Sequence, residues 1–329
     1  MDLQQMRYVV AVAETNSFTR AAERCLVVQS ALSHQIAKLE RELGARLFDR
    51  TSRRVRLTPA GAAFLPAARQ SLEAAERAAA EVAAAVGEVR GRLAVGLIPT
   101  VAAVDVPAAL RTFRERYPRV RIGLRVGASE ELAEQVRDGA LDVAFLGLPP
   151  AADPPSGVRA HALAEDRLVA VVAPDHPLAD GPAVELRRLA SEVFVDLPAG
   201  TAGRVQSDLA FAAAGLTRDV AFEVTTADLF MARLVGQGLA VALLPSRYVH
   251  QLTGVATIEV TDAPTRVEYA VWSAAGSTPA ATAFLAALGL GPHAAEPEAA
   301  EREAAEAPAA EAPAAEPVRN REAPSPGRT

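Results

Sequence analysis

The sequence predicts a chain of mixed α/β class, in which a small, mainly helical unit and one long helix precede a larger unit of alternating strands and helices. Three observations predict it. Apolar residues recur at helical spacing through the first 43 residues and again from 59 to about 86. From Arg92 onward, short apolar runs alternate with amphipathic helical segments, which is typical of α/β layers. With 329 residues the chain exceeds the usual size of one domain, so two or three folded units are expected.

The composition of the chain indicates its cellular compartment and the kind of partner that it binds. No run approaches about 18 consecutive apolar residues, and the first residues lack the pattern of a secretory signal, so we expect a cytoplasmic protein without membrane contact. Cys25 is the only cysteine and the histidines are scattered, so neither a metal nor another cofactor is predicted. The net charge is −6, but residues 1–58 carry ten basic and six acidic groups, whereas residues 291–329 carry eight Glu and four Arg. Only the N-terminal end would attract phosphate.

The first 44 residues carry the signals of three short helices. The first is expected to end near Thr15, and Ser17 stands in the N-cap position of the second. A third helix is expected over residues 29–43, with Gly44 as its stop. Its apolar stripe consists of Leu32, Ile36, Leu39 and Leu43.

The other side of the third helix is small and polar at its N-terminal end, which suits a helix that enters the major groove of DNA. Contacts with bases or phosphates are predicted for Gln29, Ser30, Ser33, His34 and Lys38. Plain solvent exposure is the alternative, and for Gln29 and Ser30 a second alternative is that they cap the helix.

Residues 46–58 predict a wing, because two short extended pieces flank an Arg-rich turn. The guanidinium groups of Arg50, Arg53 and Arg54 suit phosphate or minor-groove contacts, and a solvated basic turn is the alternative. Residues 1–58 are therefore predicted to form a winged helix-turn-helix that binds double-stranded DNA.

The stretch SFTRAAERCLVVQSALSHQIAKLERELGARLFDRTSRRVRLTPAG (17–61) resembles the DNA-binding signature of the LysR family of bacterial transcription regulators almost position by position. Ser33 and His34 match the base-reading positions of that family. Val28 departs from it, because it stands where the family commonly has a Ser that caps the recognition helix, and such a cap contributes about 1 kcal/mol. Cys25 also departs, and is expected to be a small buried hydrophobe, with a redox role as the alternative. A single cysteine excludes the two-cysteine disulfide switch of some LysR relatives within one chain.

A long linker helix is predicted over residues 59–90 together with a hinge at Gly87–Gly91. Thr58 followed by Pro59 is a strong helix start. Apolar residues then alternate spacings of three and four, which favours pairing with a second copy of the helix, and packing on its own domain is the alternative. This heptad stripe consists of Leu65, Ala68, Leu72, Ala75, Ala79, Val82 and Val86.

Residues 91–290 carry the α/β pattern, for which we expect mainly parallel sheets. The strand-like runs are 93–98, 120–126, 141–146, 167–173, 193–197, 220–224, 240–244, 255–260 and 267–272, and the main helical segments are 104–116, 130–138, 204–214, 228–237 and 279–288. The segments GASEELAEQVRDGALDVAFLGLP (127–149) and GQGLAVALLP (236–245) resemble the effector-sensing domain of the LysR family. That resemblance implies an effector-binding domain of two hinged subdomains, similar to periplasmic binding proteins. The first would comprise 91–162 and 267–290, and the second 163–266.

Small hydroxyl side chains follow four of the predicted strands: Thr100, Ser129, Thr201 and Thr226. Ligands of α/β folds bind at the carboxyl ends of strands, where helix N-termini offer free N–H groups, so the four are predicted to line a cleft for a small-molecule effector. The resemblance implies that Thr100 and Ser129 hold this effector, often a carboxylate. The alternative is that each hydroxyl is simply a helix cap.

The tail, residues 291–329, is rich in Ala, Glu and Pro and predicts a disordered acidic segment, with a helical interaction segment at 294–307 as the alternative.

The function predicted is a non-enzymatic, effector-controlled transcription regulator. As a homodimer or homotetramer it would bind an inverted-repeat promoter site, and as an activator it would contact RNA polymerase. An enzyme is disfavoured because the sequence lacks a nucleophile elbow, a phosphate loop and a dinucleotide fingerprint. A transport solute-binding protein is disfavoured because a helix-turn-helix precedes the α/β unit.

Overall fold

The computed structural model describes residues 1–50, 55–227 and 229–290 of the chain. The N-terminal unit has three helices, α1 (Leu3–Thr15), α2 (Phe18–Arg24) and α3 (Gln29–Leu43), followed by the wing strands β1 (Phe48–Arg50) and β2 (Val55–Leu57). The helices occupy the predicted segments, because their ends are set locally. The Ser17 side chain accepts a hydrogen bond from the backbone N–H of Arg20, and Gly44 adopts φ 67° at the end of α3.

The core of this unit is formed by the apolar stripes of the three helices and by the first wing strand. Val9, Leu32, Ile36 and Leu39 are 0% exposed, and Phe48 packs edge-on against Phe18 with 5.8 Å between ring centroids. The face of α3 opposite Leu32 and Ile36 is thereby left at the surface.

The linker helix α4 (Pro59–Ala85) begins as predicted, with the Thr58 side chain accepting from the N–H of Gly61. Its heptad stripe is only partly covered within the chain. Ala68 is buried where α4 packs on α1, whereas Val82 is 69% and Val86 is 78% exposed. Ala80 and Ala83, outside the stripe, are buried, in the part of α4 that adjoins the α/β unit.

The α/β unit contains nine strands and seven helices within the described residues. The strands are β3 (Gly91–Leu97), β4 (Val120–Val126), β5 (Val143–Leu148), β6 (Val158–Val172), β7 (Val193–Asp196), β8 (Asp219–Glu223), β9 (Ala242–Pro245), β10 (Ala256–Glu259) and β11 (Thr265–Ser273). The helices are α5 (Val106–Arg116), α6 (Ser129–Arg137), α7 (Leu186–Leu189), α8 (Ala202–Ala213), α9 (Leu229–Gly236), α10 (Ser246–Val249) and α11 (Pro279–Ala287).

The sheets are mixed, so the expectation of mainly parallel sheets is wrong. Seven strands form one curled sheet in the order β10-β6-β11-β5-β3-β4, with β9 also paired to β6, and β7 pairs with β8 separately. Only the β3–β4, β3–β5 and β7–β8 pairs are parallel among the strands of the described chain. The reason is that β6 and β11 carry the chain between two halves of the unit in opposite directions and pair with each other there.

The two halves meet along the strand β6. Residues Val158–Arg167 of β6 pair with β11, and residues from Leu168 onward pair with β9 and β10. Each half has its own aromatic core. Phe113 packs edge-on against Phe284 in the half that contains β3, and Phe194 packs edge-on against Phe211 in the other.

No helix in the part of the chain that the structure describes is both long and apolar enough to cross a membrane.

Candidate DNA-binding face and effector cavity

The polar residues predicted on α3 lie together on the side turned away from the core. Leu32, Ile36 and Leu39 point inward with 0% exposure, so the positions between them are turned outward. The side chains of Gln29, Ser30, His34 and Lys38 are exposed and that of Ser33 is half-buried. We call these five residues the recognition face.

The start of α3 is not capped by a side chain. Val28 holds the N-cap position in an extended conformation, φ −74° and ψ 144°, and makes no side-chain hydrogen bond. Gln29 and Ser30 are the first two residues inside the helix, which argues against the alternative that either is the cap. The first N–H groups of α3 therefore receive no hydrogen bond from the side chain of the N-cap residue.

The wing strands carry basic residues. Arg50 lies in β1 opposite Val55, and exposed Arg46 and Arg56 lie before β1 and within β2. The predicted contacts at Arg53 and Arg54 lie outside the described residues.

Cys25 at the C-cap of α2 is half-buried, which corrects the expectation of a buried cysteine. Burial raises the pKa of its thiol, against Arg24 and Arg7, which lower it. A raised pKa keeps the thiol protonated and therefore a poor nucleophile.

Three of the four hydroxyl residues predicted for the effector line one cavity of about 300 Å³ between the two halves of the α/β unit. Thr100 and Ser129 contribute from one half and Thr201 from the other. At the fourth position the neighbour Thr225 lines the cavity, and Thr226 is not among the lining residues. Apolar walls are provided by Ile98, Pro99, Val126, Leu197 and Pro198.

These hydroxyls are held by the protein but do not cap helices. Ser129 is 2% exposed, and its hydroxyl donates to the carbonyl of Gly147 at 3.1 Å and accepts from the N–H of Gly147 at 3.2 Å. The Thr201 hydroxyl donates to the carbonyl of Pro198 at 2.9 Å. The N-caps of α6 and α8 are Ala128 and Thr201, and neither makes a side-chain cap bond. Two helix N-termini, one from each half, thus border the cavity without a side-chain cap.

A buried arginine that the sequence pattern does not single out lies in the cavity wall. Arg266 is 5% exposed; its Nη1 donates to the Thr100 hydroxyl at 2.6 Å and its Nη2 to the Thr100 carbonyl at 2.7 Å. Nη2 also forms an ion pair with Glu268, a residue only 1% exposed. Among the described residues, Arg266 Nε finds no hydrogen-bond partner.

The carboxylate of Glu268 is held on its other side by backbone. Its Oε2 accepts from the N–H of Ala102 at 3.0 Å and of Ala103 at 2.9 Å. Burial lowers the pKa of Arg266, whereas the charges of Glu268 and Asp166 raise it. The signal for this pair was present in the sequence, because charged residues at i and i+2 of a strand share one face.

Two parts of the chain match known protein families. Residues 3–62 match the family described as "Bacterial regulatory helix-turn-helix protein, lysR family", and residues 87–290 match the "LysR substrate binding domain". The transcriptional dual regulator GltC of Bacillus subtilis is 33% identical over 260 residues, which cover 79% of this chain and 86% of GltC. The regulator OxyR of Escherichia coli is 33% identical over 247 residues, covering 75% and 79% respectively.

Solved structures of full-length regulators share the fold. CbnR in complex with its target DNA has a TM-score of 0.70 at 25% identity, covering 88% of this chain and 99% of CbnR. A full-length variant of OxyR from Pseudomonas aeruginosa has a TM-score of 0.62 at 25% identity, covering 87% and 95%. The chain belongs to the LysR family of DNA-binding transcription regulators, with a helix-turn-helix unit followed by a substrate-binding effector domain.

Proposed function

We propose that the recognition face of α3 reads base edges in the major groove, and that Arg50, Arg53 and Arg54 contact the DNA backbone. The observation that carries this proposal is the exposure of small and polar side chains, His34 and Ser30 among them, beside an uncapped helix N-terminus. Small polar side chains let a helix lie deep in the groove, and outward N–H groups suit phosphate oxygens.

The test compares binding to a duplex selected from a randomised pool with binding to random DNA. His34→Ala is expected to cost about 1–3 kcal/mol on the selected duplex and little on random DNA, because base contacts specify sequence. Arg53→Ala is expected to weaken both and to flatten the salt dependence. Gln70→Ala, at an exposed position on α4, is the matched control. Equal losses of His34→Ala on both kinds of DNA would contradict the assignment.

We propose further that the cavity binds a small anionic effector, with a carboxylate as the favoured class. Two helix N-termini without a side-chain cap and the buried guanidinium of Arg266 offer N–H donors to an anion, although Glu268 offsets the charge of Arg266 and Glu131 adds a carboxylate to the lining. A volume of about 300 Å³ is at the small end of ligand pockets, which favours a metabolite of few atoms. Thr226, which is absent from the lining, is replaced in this proposal by Thr225.

Some relatives are named for their response to peroxide, for example a "Probable hydrogen peroxide-inducible genes activator" of Mycobacterium avium, 35% identical over 244 residues. Cys25 is the only thiol of this chain and lies at the end of α2, outside the cavity lining. Reversible binding of a metabolite therefore fits this cavity better than oxidation of a cysteine within it.

A thermal-shift screen of the full chain tests the effector proposal, with small mono- and dicarboxylates against their neutral amides. A carboxylate that binds should raise the melting temperature where its amide does not, because only binding to the folded state stabilises. Thr100→Val should remove the shift, since the hydroxyl that orients Arg266 is lost, while DNA binding without effector should stay unchanged. Amides that bind as well as carboxylates would refute an anion site.

Self-association through α4 is the third part of the proposal. Val82 and Val86 lie exposed on the heptad stripe, where a second copy would bury them. A two-fold dimer or a tetramer built from it would place two recognition faces on an inverted repeat in the bacterial cytoplasm, where an activator also meets RNA polymerase.

Val82→Asp is expected to dissociate the assembly and abolish specific binding, because it puts a charge into the paired stripe. Ala74→Asp, exposed and away from the stripe, is the matched control. Sedimentation that shows Val82→Asp still associated would refute α4 as the pairing helix.

A further inference from the structure

Two exposed apolar side chains stand immediately before the recognition helix. Leu26 is 92% exposed, more than any other large apolar side chain in the described part of the chain, and Val28 is 68% exposed. Val27 between them points the other way and packs against the core. Leu26 and Val28, which we call the apolar pair, therefore project from the turn between α2 and α3.

The backbone at Leu26 is in a conformation that leucine disfavours. Leu26 has φ 56°, in the left-handed region. Its N–H bonds the carbonyl of Glu23 at 3.1 Å, and the N–H of Val27 bonds the carbonyl of Ala22 at 3.0 Å. These two bonds define a Schellman motif at the end of α2, in which the left-handed position is usually glycine. The fold alone would be served better by glycine than by leucine at position 26.

At position 28, too, the fold alone would be served better by a residue other than valine. An N-cap with a hydroxyl or carboxylate side chain would accept a hydrogen bond from the first turn of α3, and valine makes none. Both apolar side chains thus stand where another residue would stabilise the folded chain and where water surrounds them. They directly precede Gln29 and Ser30 in the chain and therefore lie at the N-terminal end of the helix that carries the recognition face.

We propose that Leu26 and Val28, the apolar pair, are specificity-determining residues that contact thymine C5-methyl groups at the edge of the recognition face. The thymine methyl is the apolar group that base pairs display in the major groove, and contact with it removes the side chains from water. Phosphates offer nothing comparable to an apolar side chain. This inference rests on the proposed assignment of α3 as the recognition helix.

The experiment uses the full chain and a duplex that it selects from a randomised pool, with each thymine replaced in turn by deoxyuridine, which lacks only the methyl group. We expect the wild type to lose about threefold to tenfold in affinity at one or two thymines of each half-site, the scale of one or two buried methyl groups. Leu26→Gly and Val28→Ser should lose a similar factor on the unmodified duplex and should no longer distinguish thymine from deoxyuridine there.

Stability separates this effect from damage to the fold, because both substitutions are expected to raise the melting temperature of the free protein while they weaken DNA binding. Glycine removes the strain at position 26, and serine supplies the missing cap. Leu239→Gly, at an exposed leucine of the α/β unit, is the matched control and should leave DNA affinity unchanged.

Leu26→Gly with wild-type affinity and wild-type discrimination would overturn the proposal, as would a wild type that ignores every deoxyuridine. An equal loss on the thymine and deoxyuridine duplexes would also overturn it, since the contact would then not be to the methyl group. His34→Ala in the same assay separates failure of the proposal for the apolar pair from failure of the proposal that α3 is the recognition helix. If His34→Ala still loses affinity, α3 remains the recognition helix and only the apolar pair is refuted, whereas no loss in either variant refutes both.

Discussion

Replacing Arg266 by methionine should destabilise the effector domain by more than the contacts of the arginine itself imply. The variant removes two hydrogen bonds to Thr100 and leaves the carboxylate of Glu268, 1% exposed, without its counter-charge. Breaking one side of a buried ion pair typically costs about 3–5 kcal/mol, because the remaining charge stays desolvated. For a domain of this size that corresponds to a fall in melting temperature on the order of 10 °C.

The double variant Arg266→Met/Glu268→Gln separates the buried charge from the lost contacts. Glutamine can still accept from the N–H groups of Ala102 and Ala103 through its carbonyl oxygen but carries no charge. We therefore expect the double variant to recover most of the stability lost by the single variant, so that the two changes are strongly non-additive.

Urea unfolding followed by tryptophan fluorescence is a direct assay, because Trp272 is the only tryptophan and lies on β11 together with Arg266. Arg159→Met, at an exposed arginine of the adjacent strand β6, controls for the loss of a surface charge. A cost for Arg266→Met no larger than that of Arg159→Met would refute a buried charge at Glu268 as the cause, as would a double variant less stable than the single one.

Two further variants test packing and ionisation. Gly61→Ala should lower the melting temperature by the equivalent of about 1–3 kcal/mol, because a Cβ there would lie 2.1 Å from the carbonyl oxygen of Leu47. The control Gly123→Ala, whose Cβ would have its nearest contact at 3.7 Å, should change the melting temperature little. Equal effects of the two variants would contradict the clash at Gly61. Burial raises the pKa of Asp142 above its usual value, against hydrogen bonds from Ala94 and Thr278 that lower it. The free energy of unfolding of the wild type should therefore fall relative to that of Asp142→Asn as the pH rises from about 4 through the raised pKa. Unfolding is measured between about pH 4 and 7, and a wild type that gains stability over this range relative to Asp142→Asn would contradict the prediction.

The parts of the fold that the sequence predicts well are those set by neighbouring residues. Ser17, Gly44 and Thr58 mark helix ends because a cap depends on the few residues that follow or precede it. The first half of β6 was not predicted, since VRAHALAED (158–166) has no apolar run and becomes a strand by pairing with β11, about 100 residues away. The prediction of mainly parallel sheets is wrong for the same reason, because pairing between strands that are far apart in the sequence decides whether they run parallel.

In the effector cavity, too, the sequence predicts the residues that local signals mark and not those whose placement depends on packing. The sequence predicts Thr100, Ser129 and Thr201 as lining residues, since a hydroxyl at a strand-to-helix junction is a local signal. The choice of Thr226 over Thr225 depends on how one turn faces the cavity, which only the packed structure fixes. The sequence does not single out Arg266, because a charged residue at the start of a strand is usually exposed. Its burial is stabilised by the ion pair with Glu268 on the same face.

The length of α4 converts small rotations into distances on the scale of the DNA. Its 27 residues span roughly 40 Å at 1.5 Å per residue. Gly87 and Gly91, both at positive φ, stand at the end that meets the effector domain. A rotation of about 10° there would carry the far end of the helix through about 7 Å, the length of roughly two base-pair steps. In the proposed assembly, a closure at the proposed effector cavity that leaves each core intact would therefore be enough to change which bases lie beneath the two recognition faces.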